Sequence, residues 1–188
     1  MRTVIALTGA SGSIYGVRLL EKLRRNPQVE IHQIASRAGL RTLRLEMGMK
    51  PEELRALAHF SYNVDDIGCR LASGSYPTDG MVIAPCSIQT MSSIAFGVTS
   101  NLITRAADVT LKERRKLILL VRESPLHLGH LRAMVALSEM GAIIAPPIPA
   151  FYHKPQTAMD LVDHSVDRVL DLLGIPASDA RRWDPQAG

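Results

Sequence analysis

The sequence predicts an α/β fold, a three-layer sandwich built on a Rossmann- or flavodoxin-like parallel sheet, and three observations predict it. Short apolar, β-rich runs alternate with stretches of helical periodicity. Four of those runs are nearly all apolar, as strands covered on both faces are. The first run ends in a glycine turn that opens a helix, as βαβ units with right-handed crossovers begin. In such sheets ligands sit beyond the carboxyl ends of the strands.

The elements follow in order. Thr3 to Leu7 is the first strand, the turn "TGASGSIYG" spans Thr8 to Gly16, and Val17, Leu19, Leu20 and Leu23 recur at helical spacing behind it. Val29 to Ala35 is the second strand. From Gly48 to Asp79 the pattern is least regular, with Pro51-Glu52-Glu53-Leu54 starting a short helix and Ala72-Ser73-Gly74-Ser75-Tyr76-Pro77 forming a loop. Met81 to Ala84 is the third strand. A helix ends in Lys112-Glu113-Arg114-Arg115-Lys116 before the fourth, Leu117 to Val121. Cations there complement the helix dipole, so Arg114, Arg115 and Lys116 read first as a solvated helix end. Ala142 to Ala145 is the fifth strand. Pro146-Pro147-Ile148-Pro149 makes a stiff connection to a last helix, Thr157 to Leu173, closed by Gly174 and Pro176. The 188 residues carry no internal repeat and form one domain, 1–188, large enough for a full core.

Composition narrows the function classes. Lys+Arg 22 against Asp+Glu 18 gives a net charge of +4, spread along the chain. That mild basicity suits an anionic small molecule and disfavours nucleic acid as a partner. Two cysteines, Cys69 and Cys86, offer neither a disulfide framework nor metal-ligand spacing, which points to a reducing, cytoplasmic setting. The amino-terminal apolar stretch is broken at Thr8-Gly9, too early for a secretory signal, and no segment approaches the roughly 20 apolar residues of a membrane span.

Three polar loops follow strand ends and converge on one rim: Gly9-Ala10-Ser11-Gly12, Ser36-Arg37 and Pro85-Cys86-Ser87-Ile88-Gln89-Thr90. A phosphate is the usual guest of such a glycine turn. The spacing of Gly9, Gly12 and Gly16 is G-x-x-G-x-x-x-G, not the G-x-G-x-x-G of dinucleotide folds, and Ser36 is not the acidic residue that holds a ribose diol. Arg37 keeps a dinucleotide 2′-phosphate open. None of Tyr15, Tyr62, Tyr76 and Tyr152 has a lysine four residues on, as short-chain reductases require. One phosphate cradled by small residues and hydroxyls fits flavin mononucleotide better. His127 and His130 lack a third metal ligand and read as packing or solvated residues. Cys86 reads as a small buried thiol.

From Thr8 to Trp183 the chain resembles the UbiX-type flavin prenyltransferases, including the small subunits partnered with phenolic-acid decarboxylases. The resemblance rests on "TGASGSIYG" (8–16), "ASGS" (72–75), "PCS" (85–87), "NLITRAADVTLKERR" (101–115), "RESP" (122–125), "PPIPAFYHKP" (146–155), Arg168 and Trp183. Ser124 and Leu126 depart from the Arg-Glu-Ala-Pro-Phe or Arg-Glu-Met-Pro-Leu that the family often writes, a change that leaves the charges in place.

The resemblance implies reduced FMN as a substrate, with a dimethylallyl group from dimethylallyl phosphate or pyrophosphate joined to N5 and then C6. The product is prenylated FMN, cofactor of a UbiD-type decarboxylase. It implies that Gly9, Ala10, Ser11, Ser36, Ser87, Ile88, Gln89, Thr90 and Arg122 hold FMN, and that Arg105, Lys112, Tyr152 and Arg168 hold the prenyl phosphate. Ser11 and Glu46 fall near the flavin ring, where Ser11 orients N5, and Glu123 accepts the proton lost from C6. Trp183 offers a π face to the allyl cation or, on an ordinary reading, anchors the carboxyl terminus. Ionisation is metal-independent on this view. Prenyl synthases on other folds gather Mg²⁺ with aspartate-rich motifs, whereas the only adjacent aspartates here, Asp65-Asp66, lack a partner motif. The family also implies a dodecamer whose pockets borrow residues across subunits, with the Ala145 to Phe151 segment, the last helix and the tail packing on neighbours. Two other functions stay open, a flavin-dependent cysteine decarboxylase and a non-catalytic flavin carrier; the first would need a Pro-Ala-Ser-Ala-Asn-Thr loop where this chain has Pro85 to Thr90.

Overall fold

A computed structural model describes residues 1–176. The strands are β1 (Arg2–Leu7), β2 (Glu30–Ala35), β3 (Phe60–Tyr62), β4 (Gly80–Cys86), β5 (Lys116–Val121) and β6 (Ile143–Ile144), and the helices are α1 (Ser13–Arg24), α2 (Arg37–Met47), α3 (Pro51–Ala56), α4 (Ile88–Ala95), α5 (Leu102–Lys112), α6 (Leu128–Glu139) and α7 (Ala158–Leu173). All paired strands run parallel, in the order β3-β2-β1-β4-β5-β6. That is the Rossmann order, and its direction reverses between β1 and β4.

The apolar runs alternate sides of the sheet with the period of two that strands impose. Val4, Ala6, Met81, Ile83, Leu117 and Leu119 face the layer of α4, α5 and α6. Ile5, Leu7, Val82, Ala84, Ile118 and Leu120 face the layer of α1, α2, α3 and α7. Helix α1 lies against β4 because position 16 is glycine: a Cβ there would stand 2.2 Å from the Ala84 carbonyl oxygen. Two ion-paired side chains join α1 to α7: Arg18 forks onto Asp163 at 3.0 and 3.1 Å, and Lys22 pairs with Asp167.

Two elements differ from expectation. Phe60-Ser61-Tyr62 forms an edge strand in the stretch where only a short helix and a loop were expected, and it exists through its pairing with β2 from His32 to Ile34. The run Ala142 to Ala145 contributes just two residues to the sheet. Both lie at the outer edges, where pairing on one side demands little of the sequence.

Beneath β3, His32 is fully buried between the rings of Phe60 and Tyr62 at 5.1 and 5.8 Å. Its Nε2 lies 2.9 Å from Glu30 Oε1 and its Nδ1 lies 2.9 Å from the Tyr62 hydroxyl. A carboxylate can only accept, so Nε2–H donates to Glu30 and Nδ1 accepts from Tyr62. Burial pushes the His32 imidazole below its ordinary value of 6.5, outweighing the Glu30 carboxylate that raises it. The unfolded chain therefore takes up a proton in acid that the folded chain resists, at a cost of up to about 1.4 kcal/mol per pH unit. Stability is expected to fall as pH drops below about 6.5, and the fall to be shallower in His32→Gln when denaturant midpoints at pH 7 and pH 5 are compared. Equal slopes would show that His32 is not responsible.

Candidate active site

The sheet reverses its order between β1 and β4, so α1 and α4 leave on opposite faces and a crevice opens between their amino ends. Thr8 ties its two walls together. Its N–H and hydroxyl donate to the Pro85 carbonyl at 3.2 and 2.8 Å, and its Oγ1 accepts from Ser87 N–H at 2.8 Å. Ser36 and Ser87 cap the flanking helices: Ser36 Oγ accepts from Gly39 N–H at 2.9 Å, and Ser87 Oγ from Thr90 N–H at 3.3 Å. Arg122 follows the last residue of β5, where its N–H donates to the Cys86 carbonyl at 3.1 Å, and its side chain is exposed.

Gly9, Ala10, Ser11, Ser36, Ser87, Ile88, Gln89, Thr90, Arg122 and Glu123 thus share the carboxyl rim of four adjacent strands. Three interstrand spacings make that rim about 14 Å wide, the scale of a flavin mononucleotide laid across it. Gly9 closes the fit on one side, since a Cβ there would stand 2.5 Å from Ala38 Cβ. The first turn of α4 aims N–H groups that lack intrahelical partners at the crevice.

The glycine turn itself holds something other than the phosphate expected there. Gly12, at φ 101°, immediately precedes α1, and its N–H donates to Glu46 Oε2 at 3.0 Å while Ser13 N–H donates to the same oxygen at 2.9 Å. Burial raises the Glu46 carboxyl, but the Ser11 hydroxyl and the Ser13 and Gly12 N–H groups together hold it below the usual carboxylate range. A helix amino terminus favours such a charge. The start of α1 and the end of α2 are thereby latched, next to Ser11 at the mouth of the crevice. A link across 34 residues of chain left no signal in the sequence.

Glu123 is exposed, and one of its oxygens accepts from Ser124 N–H at 3.0 Å. Burial pushes the Cys86 thiol far up, which makes it a packing group. His127 caps α6 by accepting from Gly129 N–H at 3.0 Å, with the His130 ring 3.5 Å away. A cavity of about 360 Å³ opens between β2, β3, α2 and α3, lined by Gln33, Arg37, Arg55 and Tyr62, beside the rim and apart from the expected flavin contacts.

One chain does not bring the four expected phosphate ligands together. Arg105 and Lys112 stand on α5: Arg105 donates to the Ala72 carbonyl at 3.2 Å and to Asp108 at 2.8 Å, and Lys112 pairs with Glu113 beside Gly74. Lys112 ends a helix that leads into the start of β5, so it lies about 20 Å, one six-residue strand, from Arg122 at the far end. Tyr152 and Arg168 lie on the opposite side of the sheet, with α7. There the Tyr152 hydroxyl lies 2.6 Å from His164 Nε2, and exposed Arg168 faces Asp171 at 3.7 Å. No motif marked His164. Trp183 lies outside the described residues.

The Flavoprotein family model matches residues 1–173. The flavin prenyltransferase UbiX of Salmonella typhimurium is 54% identical over 175 residues, 93% of each chain. Among solved structures, a dodecameric FMN-dependent UbiX-like decarboxylase from Escherichia coli O157:H7 superposes with a TM-score of 0.96 at 46% identity, over 98% of this chain and 100% of that one. AnUbiX (PadA1), in complex with FMN and dimethylallyl pyrophosphate, gives 0.95 at 44% identity over 97% of each. With this fold, this latched glycine turn and identity along almost its whole length, the chain belongs to the flavoprotein family and, within it, to the UbiX-type flavin prenyltransferases.

Proposed function

We propose that the protein joins a dimethylallyl group, from dimethylallyl phosphate or pyrophosphate, to N5 and then C6 of reduced FMN, making prenylated FMN for a UbiD-type decarboxylase. The observation that carries the reading is the Glu46 carboxylate seated on the Gly12 and Ser13 N–H groups, next to Ser11 at the switch-point crevice, in a chain 54% identical to a flavin prenyltransferase.

The flavin supplies the nucleophilic N5 and C6, and the protein's part is to bind, orient and neutralise. Gly9, Ala10, Ser36, Ser87 to Thr90 and Arg122 hold FMN along the rim, while Ser11, next to the Glu46 latch, orients N5. As the allylic C–O bond breaks, its electron pair leaves with the phosphate, and fixed cations stabilise that charge. Arg105, Lys112 and Arg168 serve as those cations, with Tyr152 as a directed donor and no metal. Glu123 accepts the proton released when C6 forms its bond. Trp183 would face the allyl cation.

One chain holds these ligands on two sides of its sheet, so the reading requires neighbouring copies to bring them to a shared pocket. The dodecameric state of the similar Escherichia coli protein supports that assembly. We place the exposed Ile148 and Phe151 of the proline-rich connection, the last helix and the tail of the 1–188 domain in those contacts. Among the described residues no helix is long and apolar enough to cross a membrane, and a cytoplasmic location is part of the same proposal. Anaerobic enzyme given reduced FMN and either donor should yield a flavin heavier by one C5H8 unit. Unmodified FMN after both incubations would reject the activity.

A further inference from the structure

The loop after β6 carries Tyr152, which is exposed, and its hydroxyl shares a hydrogen bond of 2.6 Å with Nε2 of His164 on α7. The His153 ring stacks on His164 at 4.5 Å and 6° between planes, and the Tyr152 ring stands edge-on to both. His164 and Arg168 are four residues apart on α7 and so share a face of the helix. A phenol held against His164 is therefore held on the face of α7 that also carries Arg168.

We propose that His164 is a positioning residue for Tyr152, donating Nε2–H to the phenol oxygen so that the phenol proton points to the incoming prenyl phosphate. This rests on the reading in which Tyr152 binds that phosphate. A neutral imidazole carries one N–H. With Nε2 as the acceptor, the single proton of Tyr152 is directed at the histidine and the anion meets lone pairs. With Nε2–H as the donor, an aligned chain runs from imidazole to phenol to phosphate, and each bond polarises the next. An anion at the site selects the second arrangement.

The surroundings keep the ring neutral. Burial, and then the adjacent His153, hold His164 below the ordinary imidazole range, with Asp167 partly opposing them. A cavity of about 190 Å³ lies alongside, with Arg18 and Lys22 of α1 and Arg25 just after it on one side and Asp160, Asp163 and Asp167 of α7 on the other. Arg18 and Lys22 are engaged with Asp163 and Asp167, so neither sign of charge dominates at the imidazole.

Titration calorimetry of the FMN-loaded protein with dimethylallyl phosphate tests the pair. Tyr152→Phe should weaken binding about 10- to 100-fold, the range for a hydrogen bond to a charged group, and His164→Leu about three- to tenfold. The double variant should bind no more than twofold worse than Tyr152→Phe, because His164 acts through the phenol. His164→Gln, whose amide N–H reaches the same oxygen, should stay within about threefold of wild type. Should His164→Leu not fold, His164→Asn, polar but too short to reach the phenol, takes its place. Wild-type affinity in His164→Leu or in Tyr152→Phe, or losses that multiply in the double variant, would overturn the proposal. An absent C5H8 adduct with wild type would instead sink the transfer activity, and the titration would still decide the pair.

Discussion

Replacing Lys112 with alanine is expected to slow formation of the prenyl–flavin adduct by about 100- to 1,000-fold while FMN still binds. That is the usual cost of removing one preorganised donor from charge developing at a leaving group. The side chain is exposed at the end of α5, so its loss should change stability by less than about 0.5 kcal/mol. Because Lys112 lies a strand's length from Arg122 in one chain, the two should act on different crevices. Chains carrying Lys112→Ala and chains carrying Arg122→Ala, each nearly inactive alone, should regain activity when co-assembled, since some pockets then draw both groups from intact parents. Single-turnover rates of purified mixed oligomers check this. Mixed assemblies as slow as either parent would mean that the lysine serves no neighbour's pocket.

Gly16→Ala is expected to destabilise the fold by about 3 kcal/mol, at the upper end for overpacking. The added methyl would lie 2.2 Å from the Ala84 carbonyl oxygen and 3.0 Å from Leu7 Cγ, so α1 must move off β4 rather than a side chain swing aside. FMN affinity should drop with it, because that contact sets the width of the crevice. Gly68→Ala is the control: its methyl would meet just Asp66 Oδ1 at 3.7 Å, and it should change stability by under about 0.5 kcal/mol. Urea midpoints compare the two, and equal shifts would show that the close approach at Gly16 is not what limits that position.

The sheet centre was legible because β1, β4 and β5 are covered on both faces and must be apolar throughout. Phe60-Ser61-Tyr62 was not, since three residues, two of them exposed, become a strand only through the neighbour they pair with. The crevice was legible in the same way, from loops that follow strand ends. Glu46 was placed near the flavin by resemblance alone, and its grip on Gly12 and Ser13 depends on how α2 returns over α1. The four phosphate ligands came from resemblance too. Their spacing says nothing of sheet faces, and α5 and α7 cover opposite ones.

The carboxylate seated on the first turn of α1 has one more consequence. The turn already has its anion before any cofactor arrives, so its backbone keeps one shape in the empty protein. Flavin entry then costs little ordering of that wall, and the affinity lost elsewhere to immobilising a flexible loop is retained here as binding.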